Sequence, residues 1–475
     1  MEFEPVIGLE IHLQLSTESK MFCACPSGAE AAPNAALCPL CAGHPGALPV
    51  VNAQAVALAV RAGLGFNARV NKYSAFARKN YFYPDLPKGY QISQDDKPVI
   101  SEGFVEIRSA RGEAKKIGII RAHLEEDAGK SVHGERATLV DLNRSGVPLL
   151  EIVSAPDMRS PQEAYDYLAA LKNLMRWLDI SGCDMEKGEL RVDVNLSLRP
   201  AGATKFGTRV EIKNLNSFKA VKDALNYEIA RQSQELAAGG AIAQQTMLWD
   251  EAAARTRPMR GKETAQEYRY FPEPDLPPLV LEDALIEGVR RAMAPLPAQK
   301  KDAYMNELGL SAYDAALLTA DKDIAAYFDA VVKEGAAPKA AVNWIGTDVL
   351  GKLNAEGKEI IACPLKPADL AALLKYIESG KISGKMAKEI FAQAWAGGRG
   401  VREIVESSGE SQISDAARLE AWAREAVAEN PKAASDFKAG NAKAIGALVG
   451  SVMKKSKGKA NPALLGEIIK KIVAG

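Results

Sequence analysis

Apolar and polar residues alternate strictly over residues 6–15. Ile7, Leu9, Ile11 and Leu13 fall on one face, and Glu10, His12 and Gln14 on the other. This period of two is that of a half-buried β-strand. Residues 119–127 repeat it, with Ile120, Ala122 and Leu124 opposing Arg121, His123, Glu125 and Asp127. Residues 189–199 give the cleanest run: Leu190, Val192, Val194, Leu196 and Leu198 oppose Glu189, Arg191, Asp193, Asn195, Ser197 and Arg199. Arg209, Glu211 and Lys213 share a face of a fourth strand. Such patterning predicts a largely antiparallel sheet with one face on a core. Past about Arg290 the texture changes to Ala- and Leu-rich helical spacing, as in residues 308–332 and 365–394. The stretch Gly397-Gly398-Arg399-Gly400 and the polar segment 406–414 read as a hinge before a short helical tail. The fold class is therefore α+β: a sheet domain over 1–290, an all-helical domain over 291–405 and a helical tail over 406–475.

A chain of 475 residues exceeds one ordinary core, in keeping with several domains. At 47% hydrophobic and 25% charged residues, disorder of the whole is excluded. The acidic start, Met1-Glu2-Phe3-Glu4, is unlike a signal peptide, and Arg61 interrupts the most apolar run, 53–66. A cytoplasmic protein with no membrane partner is expected. The 60 basic and 60 acidic residues cancel overall, yet residues 432–475 hold nine lysines against only Asp436 and Glu467, a net +7. A basic tail of this kind faces either a polyanion or simply solvent, and charge alone leaves both open.

Cys23-Ala-Cys25 and Cys38-Pro-Leu-Cys41 stand twelve residues apart in a Pro- and Gly-rich segment. Two thiol pairs on turns can meet as a tetrahedral, structural Zn²⁺ site; disulfides are the alternative, disfavoured in a reducing cytosol. Cys183 and Cys363 stand alone and read as small buried hydrophobes. The polar strand faces group carboxylates beside arginines and lysines. Carboxylates suit Mg²⁺ and arginines suit phosphate oxygens, so the combination points to a nucleotide-phosphate site on a sheet floor. Taken singly, each such face reads as a solvated surface. Two familiar phosphate motifs are rejected: Gly129-Lys130-Ser131 lacks the first glycine of a Walker loop, and Gly63-Leu-Gly65 follows a helical rather than a strand pattern. Residues 79–90 and 268–275 are aromatic, proline-stiffened and charged. They could stack the bases of an unpaired RNA end or pack on themselves.

Longer strings carry a resemblance. GLEIH (8–12), KNYFYPDLPKGYQISQ (79–94), HLEEDAGK (123–130), DLNRSGVPLLEIVS (141–154), RVDVNLSLR (191–199), GTRVEIKNLNSF (207–218) and EYRYFPEPDLPP (267–278) resemble, in order, the B subunits of the bacterial aspartyl/glutamyl-tRNA(Asn/Gln) amidotransferases. Past residue 278 the match is looser; Val342-Asn343-Trp344 stands where that family has Ala-Asn-Trp. The resemblance implies a cradle domain, a helical domain and a tail that meets tRNA. It implies a carbon–nitrogen ligase in a heterotrimer that uses ATP to phosphorylate the side-chain carboxylate of misacylated Asp-tRNA(Asn) or Glu-tRNA(Gln). Ammonia made by a glutaminase A subunit, joined through a small C subunit, then displaces the phosphate. On this reading His12, Glu125 and Glu151 hold Mg²⁺ with Glu10 beside them, and Lys79, Arg191 and Lys213 meet ATP phosphates. Two rivals remain from the residues alone: a zinc-stabilised RNA-binding scaffold, and a metal-dependent hydrolase built on His12, His123 and Glu125.

Overall fold

The computed structural model describes residues 2–27, 31–109, 112–259, 268–408, 416–439, 441–456 and 460–474. Glu267, which opens the last string of the resemblance, and residues 409–414 of the polar segment lie outside them. The chain divides into two units, Met1–Pro297 and Ala298–Gly475.

In the first unit the alternating runs become long strands of one nine-stranded sheet. In chain order its strands are β1 (Phe3–Gln14), β2 (Arg69–Val70), β3 (Ile100–Arg108), β4 (Ala114–Glu126), β5 (Pro148–Ser154), β6 (Leu190–Pro200), β7 (Val210–Leu215), β8 (Gln245–Asp250) and β9 (Arg255–Pro258). Their spatial order is β9-β8-β7-β6-β1-β5-β4-β3-β2, and only β7 and β8 run parallel. One face is apolar: Ile7, Leu9, Ile11 and Leu13 of β1 and Leu190, Val192, Val194 and Leu196 of β6 are buried. Helices α1 (Ala53–Gly65), α2 (Pro161–Trp177) and α3 (Phe218–Ala237) bury Ala59, Tyr167, Leu168, Leu171, Val221 and Leu225 in the same unit. The helix starts are written locally. Asn52, Ser160 and Ser217 each cap with the side chain, and Pro161 fits the first turn of α2. Gly63 and Gly65 lie inside α1, and Lys130 and Ser131 inside a short strand.

One alternation is corrected. Ile120 does not share the buried face of Ala122 and Leu124; it is 53% exposed, while Ile117 and Ile119 are buried. Between β5 and β4, Val153 pairs with Arg121 but Ser154 with Ile119, so Ile120 is the extra residue of a β-bulge. The bulge flips the inside–outside parity of the strand.

The second unit is helical. One apolar cluster runs from Tyr304 to Val405 through Phe328, Leu353, Leu373 and Ile390. Gly397–Gly400 turns one helix into the next within that cluster. Gly398 takes the left-handed conformation after helix Gly384–Gly397, and Val401, Ile404 and Val405 rejoin the core. A second cluster, Leu419 to Val473, joins helices Ala416–Glu429, Ile445–Lys455 and Pro462–Ala474. Lys455 pairs with Glu425 and Glu429, so part of the tail's positive charge is met by the tail itself. No helix among the described residues is long and apolar enough to cross a membrane.

Candidate functional site

The polar face of the sheet gathers its charge by register. Arg191 lies opposite His12, His12 opposite Glu151, and Glu151 opposite His123, a row across β6, β1, β5 and β4. His12 Nε2 is 3.5 Å from Glu125 Oε1 and 3.4 Å from Glu151 Oε2. His123 Nε2 is 3.3 Å from the same Glu151 oxygen and 3.9 Å from Glu125 Oε2. His123, Glu125 and Glu151 are buried, whereas His12 is partly open.

The structure thus brings His12, Glu125 and Glu151 together, and Glu10 joins them. The ligand atoms of Glu10, His12 and Glu151 lie within 4.8 Å of one another, as do those of His123, Glu125 and Glu151. His123 is the residue that sequence reasoning left out of this set, giving it only to the hydrolase rival. The signal was present, since it shares the strand face of Glu125 two residues on.

Electrostatics follow the crowding. Burial works against a charged His12, but the bond to Glu151 and the charges of Glu125 and Glu10 overcome it and push its pKa up to about 9. Burial likewise opposes ionisation of Glu151, and the two histidines reverse that and hold its carboxyl well below the ordinary value. Glu10 is raised by burial and then by Glu151 and Asp193.

The three basic residues expected at phosphate are placed differently. Arg191 Nη2 binds Asp127 Oδ1 at 2.9 Å, while its buried Nε has no partner among the described residues. Arg144 also reaches Asp127, at 3.4 Å. Lys79, on the strand Ala77–Asn80, holds its ammonium 5.0 Å from the Tyr268 ring centre. Burial opposes the Lys79 charge, and Glu125 and Glu151 more than restore it. Lys213 is bound to Asp193 and lies 3.3 Å from Glu211. Between β6 and β7 the register slips across Asp193, with Asn214 at φ +63°, a bulge beside Lys213.

The two aromatic loops meet. Phe271–Pro272 pairs with Ala77–Arg78, which in turn pairs with Ser93 and Ile92 of the strand Tyr90–Ser93. Arg78 locks them, binding Glu273 through a two-point fork at 2.8 and 2.9 Å and lying 4.1 Å over the Tyr90 ring. Tyr81, Tyr268 and Tyr270 form an edge-to-face series with centroids 6.0 and 6.1 Å apart. Phe82 and Tyr83 stay exposed at 77% and 62%.

The four clustered cysteines converge as their spacing predicts. Cys41 Sγ lies 3.4 Å from Cys23 Sγ and 3.6 Å from Cys38 Sγ, and all four sulfurs fall within 4.8 Å of one another. A tetrahedral zinc with bonds of about 2.3 Å spaces its sulfurs by about 3.8 Å, so the donor set fits zinc. All six cysteines are free thiols. Cys183 is buried and burial pushes its thiol up to about 11, as an inert core cysteine would show; Cys363 is only partly buried.

Comparison with known proteins adds two findings. The family model of the GatB/GatE catalytic domain matches residues 5–287, and that of the GatB domain matches residues 326–473. The chain is 54% identical to the aspartyl/glutamyl-tRNA(Asn/Gln) amidotransferase B subunit of Elusimicrobium minutum, over 96% of each chain. It is 49% identical to the protein of that name from Thermoanaerobacter pseudethanolicus, over 96% of each. For that of a Picosynechococcus the identity is 48%, over 96% of this chain and 95% of the relative. The two family models and the near full-length identity agree: the chain belongs to the family of aspartyl/glutamyl-tRNA(Asn/Gln) amidotransferase B subunits.

Proposed function

We propose that this chain activates and amidates the side-chain carboxylate of Asp on tRNA(Asn), of Glu on tRNA(Gln), or of both. It acts as the B subunit of a cytoplasmic carbon–nitrogen ligase, with a glutaminase A subunit, joined through a small C subunit. The relatives' shared name supports transamidation of a misacylated tRNA. The observation that carries the ATP-dependent step is the charged row Arg191, His12, Glu151, His123, with Glu125 and Lys79 against it. Phosphoryl transfer asks a protein chiefly for positioned cations and carboxylates that hold a metal, and little covalent chemistry.

The γ-phosphoryl group moves from ATP to the carboxylate oxygen, leaving ADP and an acyl phosphate. Ammonia then attacks the acyl carbon, phosphate departs with the C–O electron pair, and the nitrogen gives up one proton to phosphate or solvent, leaving the amide. His12, Glu125 and Glu151, with Glu10 beside them, would hold Mg²⁺, a cation suited to this oxygen-rich set. When bound there, Mg²⁺ supplies positive charge against the phosphate oxygens. Arg191 and Lys79 are the cations best placed to meet phosphate, through the unpartnered Nε of the first and the maintained charge of the second. Lys213, engaged by Asp193 and Glu211, would meet phosphate only by exchanging a carboxylate for it. The tyrosine series with exposed Phe82 and Tyr83 offers stacking faces for the acylated RNA end. Residues 406–475 would meet the tRNA body.

The test is ATP cleavage by the purified complex with each misacylated tRNA and with the uncharged or correctly acylated one. Phosphate release should need both Mg²⁺ and the misacylated tRNA. Release that ignores the acyl group would remove the activation step from this chain. Metal-dependent hydrolysis of the acyl-tRNA that needs no ATP would favour the hydrolase reading.

A further inference from the structure

Lys20 is a fully buried lysine, 0% exposed, at the cysteine cluster. An ammonium taken out of water is costly unless charge and hydrogen bonds compensate it. Its Nζ donates to the carbonyls of Ala36 at 3.0 Å and Leu142 at 3.3 Å, and to Cys41 Sγ at 3.6 Å. It makes no salt bridge to a carboxylate among the described residues. Two neutral carbonyls offer dipoles but no countercharge, which leaves the sulfur. A zinc ion with four thiolates would carry a net charge of −2 at a cluster where Cys41 is buried and the other three cysteines are half-buried, and one ammonium would halve it.

The backbone builds this contact deliberately. The Lys20 amide donates to the Cys25 carbonyl at 2.9 Å, and Ser19 bridges to Pro26, so Lys20 belongs to the turn that carries the first thiol pair. Asn143 Oδ1 accepts from the Ala36 amide and Ser145 Oγ donates to the Cys41 carbonyl, fastening the 141–145 loop over the second pair. The ammonium therefore sits where three chain segments and one sulfur meet.

We propose that Lys20 is the built-in counter-cation of a zinc–tetrathiolate centre at Cys23, Cys25, Cys38 and Cys41, a positioning residue that strengthens zinc binding by N–H···S donation to Cys41. The proposal rests on the zinc reading of those four cysteines. A second contact shell of this kind typically governs 10–100-fold in metal affinity.

The experiment uses the full-length chain, wild type beside Lys20→Met and Lys20→Gln. Met fills the space without charge or donor; Gln keeps a donor for the carbonyls without charge, so a packing failure in one variant is covered by the other. Zinc is titrated against a colorimetric chelator, and Co²⁺ is substituted to read the sulfur-to-metal charge-transfer band. Wild type should hold about one zinc, and both variants should bind it roughly 10–100-fold more weakly. The cobalt band should move to longer wavelength, because a sulfur relieved of a cationic donor gives up electron density more easily. Unchanged affinity in both variants overturns the role of Lys20 and leaves the zinc reading standing. Weaker binding with an unmoved band makes Lys20 a packing residue and overturns it too. Wild type that takes up neither metal overturns the zinc reading and the proposal together.

Discussion

His12 and His123 close on one oxygen of Glu151 from neighbouring strands, their Nε2 atoms 3.4 and 3.3 Å from Oε2. The ladders on either side of β5 impose this, since Glu151 lies opposite His12 in one and His123 in the other. Glu125, one row away, faces the same space and is 1% exposed. The cluster therefore has its shape fixed by sheet register rather than by loops, as a site for oriented charge requires.

Glu125→Gln keeps that shape and removes one negative charge. In the assembled complex, tRNA-dependent ATP cleavage should fall roughly 10²-fold or more. Glutamine hydrolysis by the glutaminase partner should persist by comparison. Parallel loss of both activities would indicate misfolding or broken coupling and would withdraw Glu125 from the phosphoryl-transfer site.

A second buried carboxylate serves stability instead. Glu228 on α3, 0% exposed, receives two bonds from Arg231 at 2.9 Å and one from Gln232 at 3.0 Å, and is bound by Thr256 of β9. Burial raises its carboxyl, but these donors outweigh burial and hold it below the ordinary 4.5. A depressed carboxyl contributes stability above pH 4.5 that is lost as pH falls through the lower folded value. Glu228→Gln should thus cost roughly 1–3 kcal/mol at neutral pH. Melting curves of the two proteins should converge as pH drops below about 4.5. A gap that stays constant into acid would mean that the charge of Glu228 is not what the fold uses.

The tail lysines separate by their partners. Lys443, Lys454 and Lys471 are exposed, while Lys455 already faces Glu425 and Glu429. Replacing the first three by Ala should weaken tRNA binding and flatten its salt dependence, by about 0.7–0.9 in slope for each phosphate no longer neutralised. Lys455→Ala should change the slope less. A slope unmoved by the triple substitution would show those lysines to be solvated only.

Much of this was legible in residue order. Strict alternation marked β1 and β6, and the cysteine spacing foretold four converging sulfurs, because both are local geometry. The two bulges were not, since an extra residue such as Ile120 or Asn214 shows only against its partner strand. Nor was His123 as a neighbour of Glu151, which depends on pairing across about thirty residues of intervening chain. Lys20 and Glu228 look like surface charges in sequence; only the packed fold shows them buried with their partners.

The division of labour within the complex gives the last prediction. The described sheet floor offers cations and carboxylates suited to phosphoryl transfer, and the free thiols outside the four-cysteine cluster are Cys183, buried, and Cys363, with its thiol raised chiefly by burial. Neither thiol has the lowered pKa that a nucleophile opening the amide of glutamine needs. This accords with the proposed division of labour, in which the glutaminase partner makes the ammonia. A complex inactivated at that partner's nucleophile should fail with glutamine and work with added ammonium salt. ATP and misacylated tRNA should stay obligatory, because a carboxylate accepts no amine without an activated leaving group. Raising the pH should speed the rescued reaction, since more of the added ammonium becomes the free base that attacks. The readout is amidated tRNA formed per ATP cleaved, which should approach one to one for the intact complex with glutamine and for the inactivated complex with ammonium. If ammonium gives no product while tRNA and ATP still bind, amide formation does not occur on this chain, and Glu125 and its neighbours lose their catalytic assignment.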